Sequence, residues 1–424
     1  MSGPRRGSCL ALRMAGVPEM KRPHPRRYAA VALAVAAATA AFVPLSAEAG
    51  QQAGLVESVT DTLLAERGPV VAAQRGVAAL AREAVVEPRR SVSEWSFGAA
   101  TIPGDANDHA PDASLYVAHR VAGRWQVGVL GSETFVSLTR QAPTSVVSAE
   151  EKALFKQNRA AAGPGAAARS VETGLALPVN ASSSVGWGGG PHANDGQGSL
   201  YSSLDFGGSG TQIRAAAAGK IYRACVDANS NQTALILIVH ANGYTTGYYH
   251  LNQRSGFPAD GTSVDLGYSL GTAGTNTVCG GSANGAHVHF TLRSGDRNNL
   301  AFESVIGKTI GGWTFHTNGS NYDGYATHGT SKVQDGGTLY NYGRYAGSGP
   351  YAGTVNSSNG ANVRSGTNSA SSTVMYTAPN GRALAISCKT TGSTVNNSNV
   401  WYRLTDTDYV AAALTSTAAT IPNC

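Results

Sequence analysis

Charged side chains are scarce in this sequence of 424 residues, because Asp, Glu, Lys and Arg together make up only 14% of it. Glycine is abundant instead, with 52 residues. This combination is typical of a β-rich protein with many turns, and the length is sufficient for two or three domains.

Residues 170–424 lack an excess of positive charge, although the formal net charge of the chain is +6. Nineteen of the 32 Lys and Arg residues lie before residue 170, and the remainder of the chain holds 13 basic and 12 acidic residues. Nucleic-acid-binding proteins usually carry an excess of basic residues, which this region does not have, so we expect no nucleic-acid partner. No long apolar run comes after the N-terminal region, so we expect no membrane span after signal removal.

The N-terminus has the features of an export signal. Basic residues from Lys21 to Arg27 precede a run rich in Ala and Val between Tyr28 and Leu45. Ala47-Glu48-Ala49 then has the small-x-small form of a cleavage site. We interpret residues 1–49 as a signal peptide, with Met20 as an alternative start, and expect a secreted, extracellular protein.

Cysteine is rare, with five residues in the whole chain. Discounting Cys9 in the signal region leaves an even four. In an oxidising compartment the economical pairing is between sequence neighbours, Cys225 with Cys279 and Cys388 with Cys424. The alternative is four free, buried thiols.

Residues 50–169 differ in composition from the segment that begins at residue 173. Leu55–Val86 has helical spacing of apolar residues and ends at the charged Arg89-Arg90. Short strands are predicted between Trp95 and Thr139, and residues 148–151 (Ser-Ala-Glu-Glu) form a capping box that opens a helix over 152–162. The pattern predicts a small α+β domain.

A small-residue run over 160–169 (AAAGPGAAAR) comes after this domain and has the form of an exposed processing site. We therefore interpret residues 50–169 as a removable pro-segment of a zymogen, which assists folding or blocks the site. The alternative is a permanent accessory domain.

Residues 173 onward are rich in Gly, Ser, Tyr, Asn and Thr, and strand signals lie close together along this segment. Asn242-Gly243 lies between two strand candidates, over 234–240 and 244–251, and is a strong hairpin signal. The other candidates are residues 212–226 with a turn at 215–219, residues 266–273 and residues 287–293. We expect an antiparallel sheet with long glycine-rich loops.

Two histidines, His287 and His289, are separated by one residue in the last of these strands. Alternate side chains of a strand share a face, so the two imidazoles lie on the same face about 7 Å apart. Taken alone, such a pair is more often incidental than a metal site.

Two further residues have the chemistry of metal ligands. His192 ends the glycine-rich stretch Gly186–His192, which we expect to be a loop, and Asp205 comes thirteen residues later. With His289 they supply two imidazole nitrogens and one carboxylate oxygen, which is the open coordination of catalytic zinc. Without the other ligands, His192 would be interpreted as a surface residue and Asp205 as a turn carboxylate.

His250 comes directly after Tyr248-Tyr249 at the end of a strand expected near the His287 strand. His250 and His287 can therefore flank a metal without binding it. Zinc lowers the pKa of bound water to about 7, so one imidazole can take its proton while the other stabilises the developing oxyanion. Tyrosine hydroxyls can serve the same oxyanion role. Three other histidines, His240, His316 and His328, match no ligand spacing and are expected to be structural.

These residues together resemble the lysostaphin-type zinc endopeptidases, and most closely their staphylolysin and β-lytic branch, which cuts bacterial cell-wall peptides. The resemblance covers roughly residues 173–345 and includes the motifs Ser202-Ser203-Leu204-Asp205, Tyr248-Tyr249-His250-Leu251, Gly285-Ala286-His287-Val288-His289 and Ser320-Asn321-Tyr322-Asp323, and the pair Cys225 and Cys279. One departure is Ala286, where relatives often have proline.

The resemblance implies a role for each matching residue. His192, Asp205 and His289 would bind one Zn²⁺ per catalytic domain, and His250 and His287 would be catalytic. Tyr249 and Tyr322 would contact the substrate or the oxyanion.

The C-terminal region changes character again after a flexible linker at 346–352. Residues 353–424 contain short strands, Asn-Val-Arg-Ser-Gly at 362–366 and the pair Trp401-Tyr402. This order resembles bacterial SH3-like domains, which implies binding to cell-wall peptide. The alternative is a stabilising domain without a ligand.

The sequence therefore predicts a mainly β protein: an antiparallel β-sheet zinc endopeptidase domain (170–345) and a small SH3-like β-barrel, preceded by an α+β pro-segment. We expect a secreted monomer that hydrolyses bacterial peptidoglycan, with a preference for glycine that rests on the resemblance. Two other functions stay open, a metal-free wall-binding or regulatory protein and a general secreted protease of glycine-rich proteins.

Overall fold

The computed structural model describes residues 45–105, 109–162, 173–181, 183–196, 198–227, 232–294, 302–343, 351–378, 380, 383–404 and 408–424. These residues are mainly β with antiparallel sheets, which confirms the predicted fold class. Almost all of the predicted signal peptide, the main part of the processing run and most of the linker lie outside them. Within the described ranges, no helix combines the length and hydrophobicity needed to cross a membrane.

The N-terminal segment, residues 45–162, contains a four-stranded antiparallel sheet and helices. Its elements are α1 (Leu45–Gln74), β1 (Val85–Val92), β2 (Trp95–Ile102), β3 (Asp112–Val121), β4 (Arg124–Val129), α2 (Glu133–Gln141) and α3 (Ala149–Ala162). The capping box is confirmed, because the Ser148 amide donates to Glu151 Oε2 (2.9 Å) and the Glu151 amide to Ser148 Oγ (3.2 Å). These two bonds fix the start of α3.

The predicted helix over Leu55–Val86 is wrong beyond Gln74. Gly76 has a φ of +63°, a conformation that ends helices and that glycine adopts without strain. The β-branched Val85 and Val86 pair with β2 instead. Arg90 likewise does not close a helix: it lies in β1 and donates two hydrogen bonds of 2.7 Å to Glu151.

A ten-stranded antiparallel sheet forms the centre of the molecule. Its strands are β5 (Ser184–His192), β6 (Ser203–Phe206), β7 (Gln212–Arg214), β8 (Gly219–Val226), β9 (Thr233–Val239), β10 (Tyr244–Gln253), β11 (Thr262–Val264), β12 (Ser269–Asn276), β13 (Val288–Ser294) and, later in the chain, β18 (Thr338–Tyr340). The order through its centre is β8-β9-β10-β13-β6-β5. The Asn242-Gly243 hairpin joins β9 to β10 as predicted, with Gly243 at a φ of +89°.

The two faces of this sheet pack against different parts of the protein. Ile236, Tyr248 and Phe290 point into the main hydrophobic core. The opposite face carries Tyr249 and His289, which are cross-strand partners, and we call it the site-bearing face. The N-terminal segment packs on that face through two apolar clusters. One contains Phe97, Leu115, Phe135 and Phe155 together with Tyr222 and Val239, and the other contains Ala99 and Ala113 together with Leu235, Leu237 and Tyr249.

A small four-stranded sheet packs against one end of the central core. It comprises β14 (Thr309–Ile310), β15 (Trp313–Thr317), β16 (Gly324–His328) and β17 (Ser331–Gln334). Phe315 of β15 meets Trp187 of β5 edge to face, with ring centroids 5.5 Å apart. The connection between β15 and β16 therefore lies beside the end of β5, and it carries Tyr322.

The described residues between 351 and 424 form a separate seven-stranded antiparallel sheet. Its strands are β19 (Tyr351–Val355), β20 (Ala361–Arg364), β21 (Val374–Ala378), β22 (Ala383–Val395), β23 (Ser398–Leu404), β24 (Tyr409–Ala411) and β25 (Thr415–Ser416), with a 3₁₀ turn at Ala412–Leu414. Trp401 is buried and donates to Ser393 O (2.8 Å), whereas Tyr402 is half-buried. An SH3-like barrel stays a prediction.

Two disulfides have the pairing expected from sequence neighbourhood. Cys225 is bonded to Cys279, which ties the end of β8 to the loop after β12. Cys388 is bonded to Cys424, which fixes the C-terminus to β22.

Candidate metal centre and catalytic cleft

His192, Asp205 and His289 lie on three adjacent strands of the central sheet. Asp205 in β6 is the direct partner of His289 in β13, and the opposite edge of β6 pairs with β5, which ends at His192. Antiparallel pairing thus brings together side chains that are up to 97 residues apart in sequence. All three are among the residues predicted as ligands.

The spacing of their donor atoms fits a tetrahedral metal ion. His289 Nδ1 lies 3.2 Å from His192 Nε2 and 3.2 Å from Asp205 Oδ1, and His192 Nε2 lies 3.5 Å from Asp205 Oδ1. Bonds of about 2.0–2.1 Å to zinc place the donors of a tetrahedron roughly 3.3–3.4 Å apart. The cluster therefore supplies three corners of such a site, and the donor set N₂O is that of catalytic rather than structural zinc.

Hydrogen bonds on the far side of each imidazole fix which nitrogen faces the cluster. His192 Nδ1 donates to Gly190 O at 2.7 Å, because a carbonyl can only accept. His289 Nε2 lies 3.4 Å from Asn194 Oδ1. These contacts leave His192 Nε2 and His289 Nδ1 as the lone-pair atoms, as expected for ligands oriented by a second layer of residues.

Gly186–His192 lies in strand β5, so the prediction of a loop is wrong. One of its glycines, Gly189, is needed there because the backbone approaches a predicted ligand closely. Gly189 lies opposite Asp205, and a Cβ at this position would be 2.5 Å from Asp205 Oδ2 and 2.9 Å from its Cβ. Gly189 thus leaves the space that the carboxylate occupies.

Burial and mutual charge shift the acid–base properties of the cluster. Burial lowers the pKa of His192 to about 4, against the opposing effect of Asp205. Burial alone would raise the pKa of Asp205, but His192 and His289 hold it well below its usual range. At neutral pH His192 is therefore neutral and Asp205 ionised, which are the forms that bind metal.

His250 and His287 lie beside the cluster, with their ring centroids 4.7 Å apart. His250 Nδ1 donates to Asn276 O (3.1 Å) and His287 Nδ1 donates to Gly285 O (2.9 Å). Each ring therefore keeps Nε2 as the atom that can accept a proton, and His287 Nε2 lies 3.8 Å from Asp205 Oδ1. Burial lowers the pKa of His250 to about 3.

Backbone conformation at two of the predicted site residues is unusual. His250 has a φ of +65°, next to a register shift between β10 and β12, and Tyr322 has a φ of +63°. Non-glycine residues rarely adopt this region, and such strain is concentrated at functional sites.

The two predicted tyrosines have different environments. Tyr322 is 46% exposed and its ring stacks on His192, with centroids 4.1 Å apart. Tyr249 is buried beneath the N-terminal segment, and its hydroxyl donates to Gly280 O at 2.6 Å. In this structure Tyr249 therefore positions the loop after β12, whereas Tyr322 forms part of the cleft wall.

An open cleft of about 550 Å³ gives access to this cluster. It is lined by Asp205, His250, His287, His289 and Tyr322, and by glycines of β5 and of the loop before β13. Ala110 of the N-terminal segment lines it as well. The site therefore faces a groove that the N-terminal segment partly covers.

Sequence reasoning did not identify three asparagines that support the site. Asn194 contacts His289, Asn276 O holds His250, and Asn321 Oδ1 accepts from the Ala193 amide at 2.7 Å. None of them has a local sequence signal, apart from the position of Asn321 next to Tyr322.

The other histidines of this domain have structural contacts. His240 bonds Ala218 O (2.8 Å) and Thr246 Oγ1 (2.9 Å), His316 bonds Thr327 Oγ1 (3.1 Å), and His328 donates to Gly312 O (2.7 Å).

The sequence of this domain is similar to that of known peptidases. Residues 200–300 match Peptidase family M23, a range that contains Asp205, His250, His287 and His289. Beta-lytic metalloendopeptidase from Lysobacter enzymogenes is 31% identical over 174 residues, which are 38% of this chain and 89% of that protein. Protease LasA from Pseudomonas aeruginosa is 32% identical over 143 residues, 32% of this chain and 32% of LasA.

The chain thus spans about a third of the length of LasA but most of the Lysobacter protein. Among solved structures, the M23 metalloprotease pseudoalterin from the deep sea is 30% identical, with a TM-score of 0.33, and the match covers 39% of this chain and 97% of that one.

Proposed function

This chain belongs to peptidase family M23, and from that premise we propose that it is a secreted zinc metalloendopeptidase of bacterial peptidoglycan. The bonds it cuts lie in glycine-containing cross-bridges or peptide stems. The observation that carries this proposal is the set of three donor atoms, 3.2–3.5 Å apart, next to two histidines in an open cleft.

His192 Nε2, Asp205 Oδ1 and His289 Nδ1 would hold the metal. Zinc bound there supplies the Lewis acidity that makes water a nucleophile near neutral pH. His250 Nε2 or His287 Nε2 takes the proton of the attacking water, and the other imidazole, once protonated at Nε2, donates a hydrogen bond to the developing oxyanion. Tyr322, which is half exposed on the cleft wall, contacts the substrate.

The shape of the cleft supports a glycine-rich substrate. Its walls contain the backbone of β5, where the exposed Gly188 leaves the strand without a side chain and a Cβ would meet nothing within 4 Å. A peptide with few side chains can approach such a wall closely. The preference for glycine follows from this fit and from the resemblance of the motifs.

The proposal also assigns the remaining parts of the chain. Residues 1–49 are a signal peptide and residues 50–169 a pro-segment, which is supported by its position over the site-bearing face. Residues 353–424 bind cell-wall peptide. Two disulfides are consistent with an extracellular location.

Hydrolysis by the processed protein tests the proposal. We expect cleavage of pentaglycine peptides and of purified cell walls, loss of that activity in His289→Ala, and normal activity in the control His316→Ala. His316 suits this purpose because it contacts Thr327 and stacks on Tyr325 in the small sheet. Unchanged hydrolysis by His289→Ala would contradict the metal-centre assignment.

Two other functions are outcomes of the same experiment. Faster turnover of elastin than of cell walls would indicate a general protease of glycine-rich proteins. Wall binding without hydrolysis of any of these substrates would indicate a binding or regulatory protein.

A further inference from the structure

One buried arginine of the catalytic domain has no role in the chemistry proposed above. Arg293 lies in β13, four residues after His289, and is 3% exposed. Side chains at even separations along a strand share a face, and Arg293 pairs with Thr245 as His289 pairs with Tyr249. Arg293 therefore lies on the site-bearing face, about 13 Å along the strand from His289.

The partners of Arg293 come from the N-terminal segment. Its Nη1 donates to Ala113 O (2.6 Å) and to Asp112 Oδ1 (3.2 Å). Asp112 also accepts two hydrogen bonds from Arg67, of which that from Nε is 2.8 Å. The Asp112 carboxylate thus lies between Arg67 of the N-terminal segment and Arg293 of the catalytic domain. Burial lowers the pKa of Arg293 to about 10, which leaves it charged at neutral pH.

Residues 110–113 connect this arginine to the metal cluster. Ala110 lines the cleft, and Pro111 O accepts from Asn194 Nδ2 at 3.3 Å. Asn194 in turn contacts His289. The segment therefore runs over the site-bearing face from the cleft to Arg293, along the path that an extended peptide would take.

We propose that Arg293 is a specificity-determining residue that binds a carboxylate of the substrate peptide. In the full chain, the Asp112 carboxylate occupies the position of that substrate carboxylate. The proposal rests on the proposed peptidase function and on removal of residues 50–169. Their removal takes away both Asp112 and Arg67. Arg293 then keeps the side-chain contact with Thr291 (3.5 Å) and the ring of Phe302 (4.4 Å), which hold the guanidinium in position.

The direction of residues 110–113 predicts where the substrate carboxylate lies. They run from the cleft toward Arg293 in the same direction as β13, and 13 Å is about four extended residues. A peptide bound in the same orientation would place its carboxylate several residues to the C-terminal side of the cleaved bond.

A binding experiment on the secreted form tests this assignment. Mass spectrometry verifies that the pro-segment has been lost, and thermal melting verifies that the protein is folded. The probes are capped glycine octapeptides with a single Glu at each successive position, and the matched Gln peptides. Binding is measured by calorimetry on metal-free protein, so that hydrolysis does not interfere. At one position, the Glu peptide should bind about 10- to 100-fold more tightly than the Gln peptide, as for a charge-assisted bond.

Variants and the full chain distinguish the possible results. The Glu preference should vanish in Arg293→Met, persist in part in Arg293→Lys, and be unchanged in Arg254→Met, which alters an exposed arginine of the same domain. The unprocessed chain should show no preference, because Asp112 occupies Arg293.

Equal binding of Glu and Gln peptides at every position, or a preference that survives Arg293→Met, would overturn the proposal. Hydrolysis of pentaglycine without any Glu preference leaves the peptidase function intact and rejects only this assignment. A Glu preference that depends on Arg293, in a protein that hydrolyses nothing, rejects the peptidase function and keeps the assignment.

Discussion

Replacing Gly189 by alanine should remove Asp205 from the metal centre and leave the fold intact. The added Cβ would lie 2.5 Å from Asp205 Oδ2, which must move by about 0.9 Å to reach an ordinary 3.4 Å contact. Rotation of the carboxylate cannot relieve the clash, because the Asp205 Cβ is itself only 2.9 Å away. Metal–ligand distances tolerate displacements of only about 0.2 Å, so Asp205 leaves the coordination sphere.

The size of the effect follows from the loss of one ligand. Zinc binding at four-ligand sites is worth about 10–16 kcal/mol, or ~3 kcal/mol per ligand. The dissociation constant for zinc should therefore rise about 100-fold in Gly189→Ala. The matched control is Gly188→Ala, since Gly188 is the exposed neighbour in the same strand and its added Cβ meets nothing within 4 Å.

A competition titration against a chromophoric chelator measures this affinity directly in the full chain. Thermal melting of the metal-free proteins reports separately on folding. If the zinc affinities of Gly189→Ala and Gly188→Ala lie within twofold of each other, the added Cβ at Gly189 does not displace Asp205 and the prediction is wrong.

Three further predictions concern acid–base groups of the chain. Glu151→Ala should lower the free energy of unfolding of the full chain by about 3 kcal/mol in denaturant titrations, because it removes the buried carboxylate that pairs with the half-buried Arg90 and accepts from the buried Tyr222, whereas the exposed Glu150→Ala should have little effect. His250→Ala should reduce kcat about 10²- to 10⁴-fold while zinc content is retained, and a proportional loss of zinc and activity would contradict its assignment as a catalytic residue that does not bind the metal. In the folded protein, burial lowers the pKa of His192 to about 4 and that of His250 to about 3. Below pH 6.5 the unfolded chain therefore binds more protons than the folded chain does. Metal-free protein should therefore lose stability between pH 6.5 and pH 4, and calorimetry should show a smaller loss in His250→Gln.

Local chemistry was sufficient to predict much of the central sheet. The Asn242-Gly243 turn fixes the hairpin of β9 and β10, and residue alternation places His289 on the face opposite Phe290. His287 lies just before β13, in a bridge with Gly274, and its Nε2 is 3.8 Å from Asp205 Oδ1. The ligand set was assembled from the resemblance of the motifs, since nothing local connects His192 with residues almost a hundred positions away.

Features that depend on contacts distant in sequence could not be predicted. Glycine has low strand propensity, so Gly186–His192 resembled a loop, although pairing with β6 makes it a strand. The helix prediction failed after Gln74 because the spacing of apolar residues continued past the turn at Gly76. The contact of Asp112 with Arg293 has no sequence signal at all.

Zinc content of the purified, secreted chain tests the central claim most directly. Elemental analysis after dialysis should give one zinc ion per chain in the wild type and much less in Asp205→Ala. Two results would contradict a metal centre formed by His192, Asp205 and His289. One is much less than one zinc ion per wild-type chain after purification without chelators, and the other is equal zinc content in the two proteins.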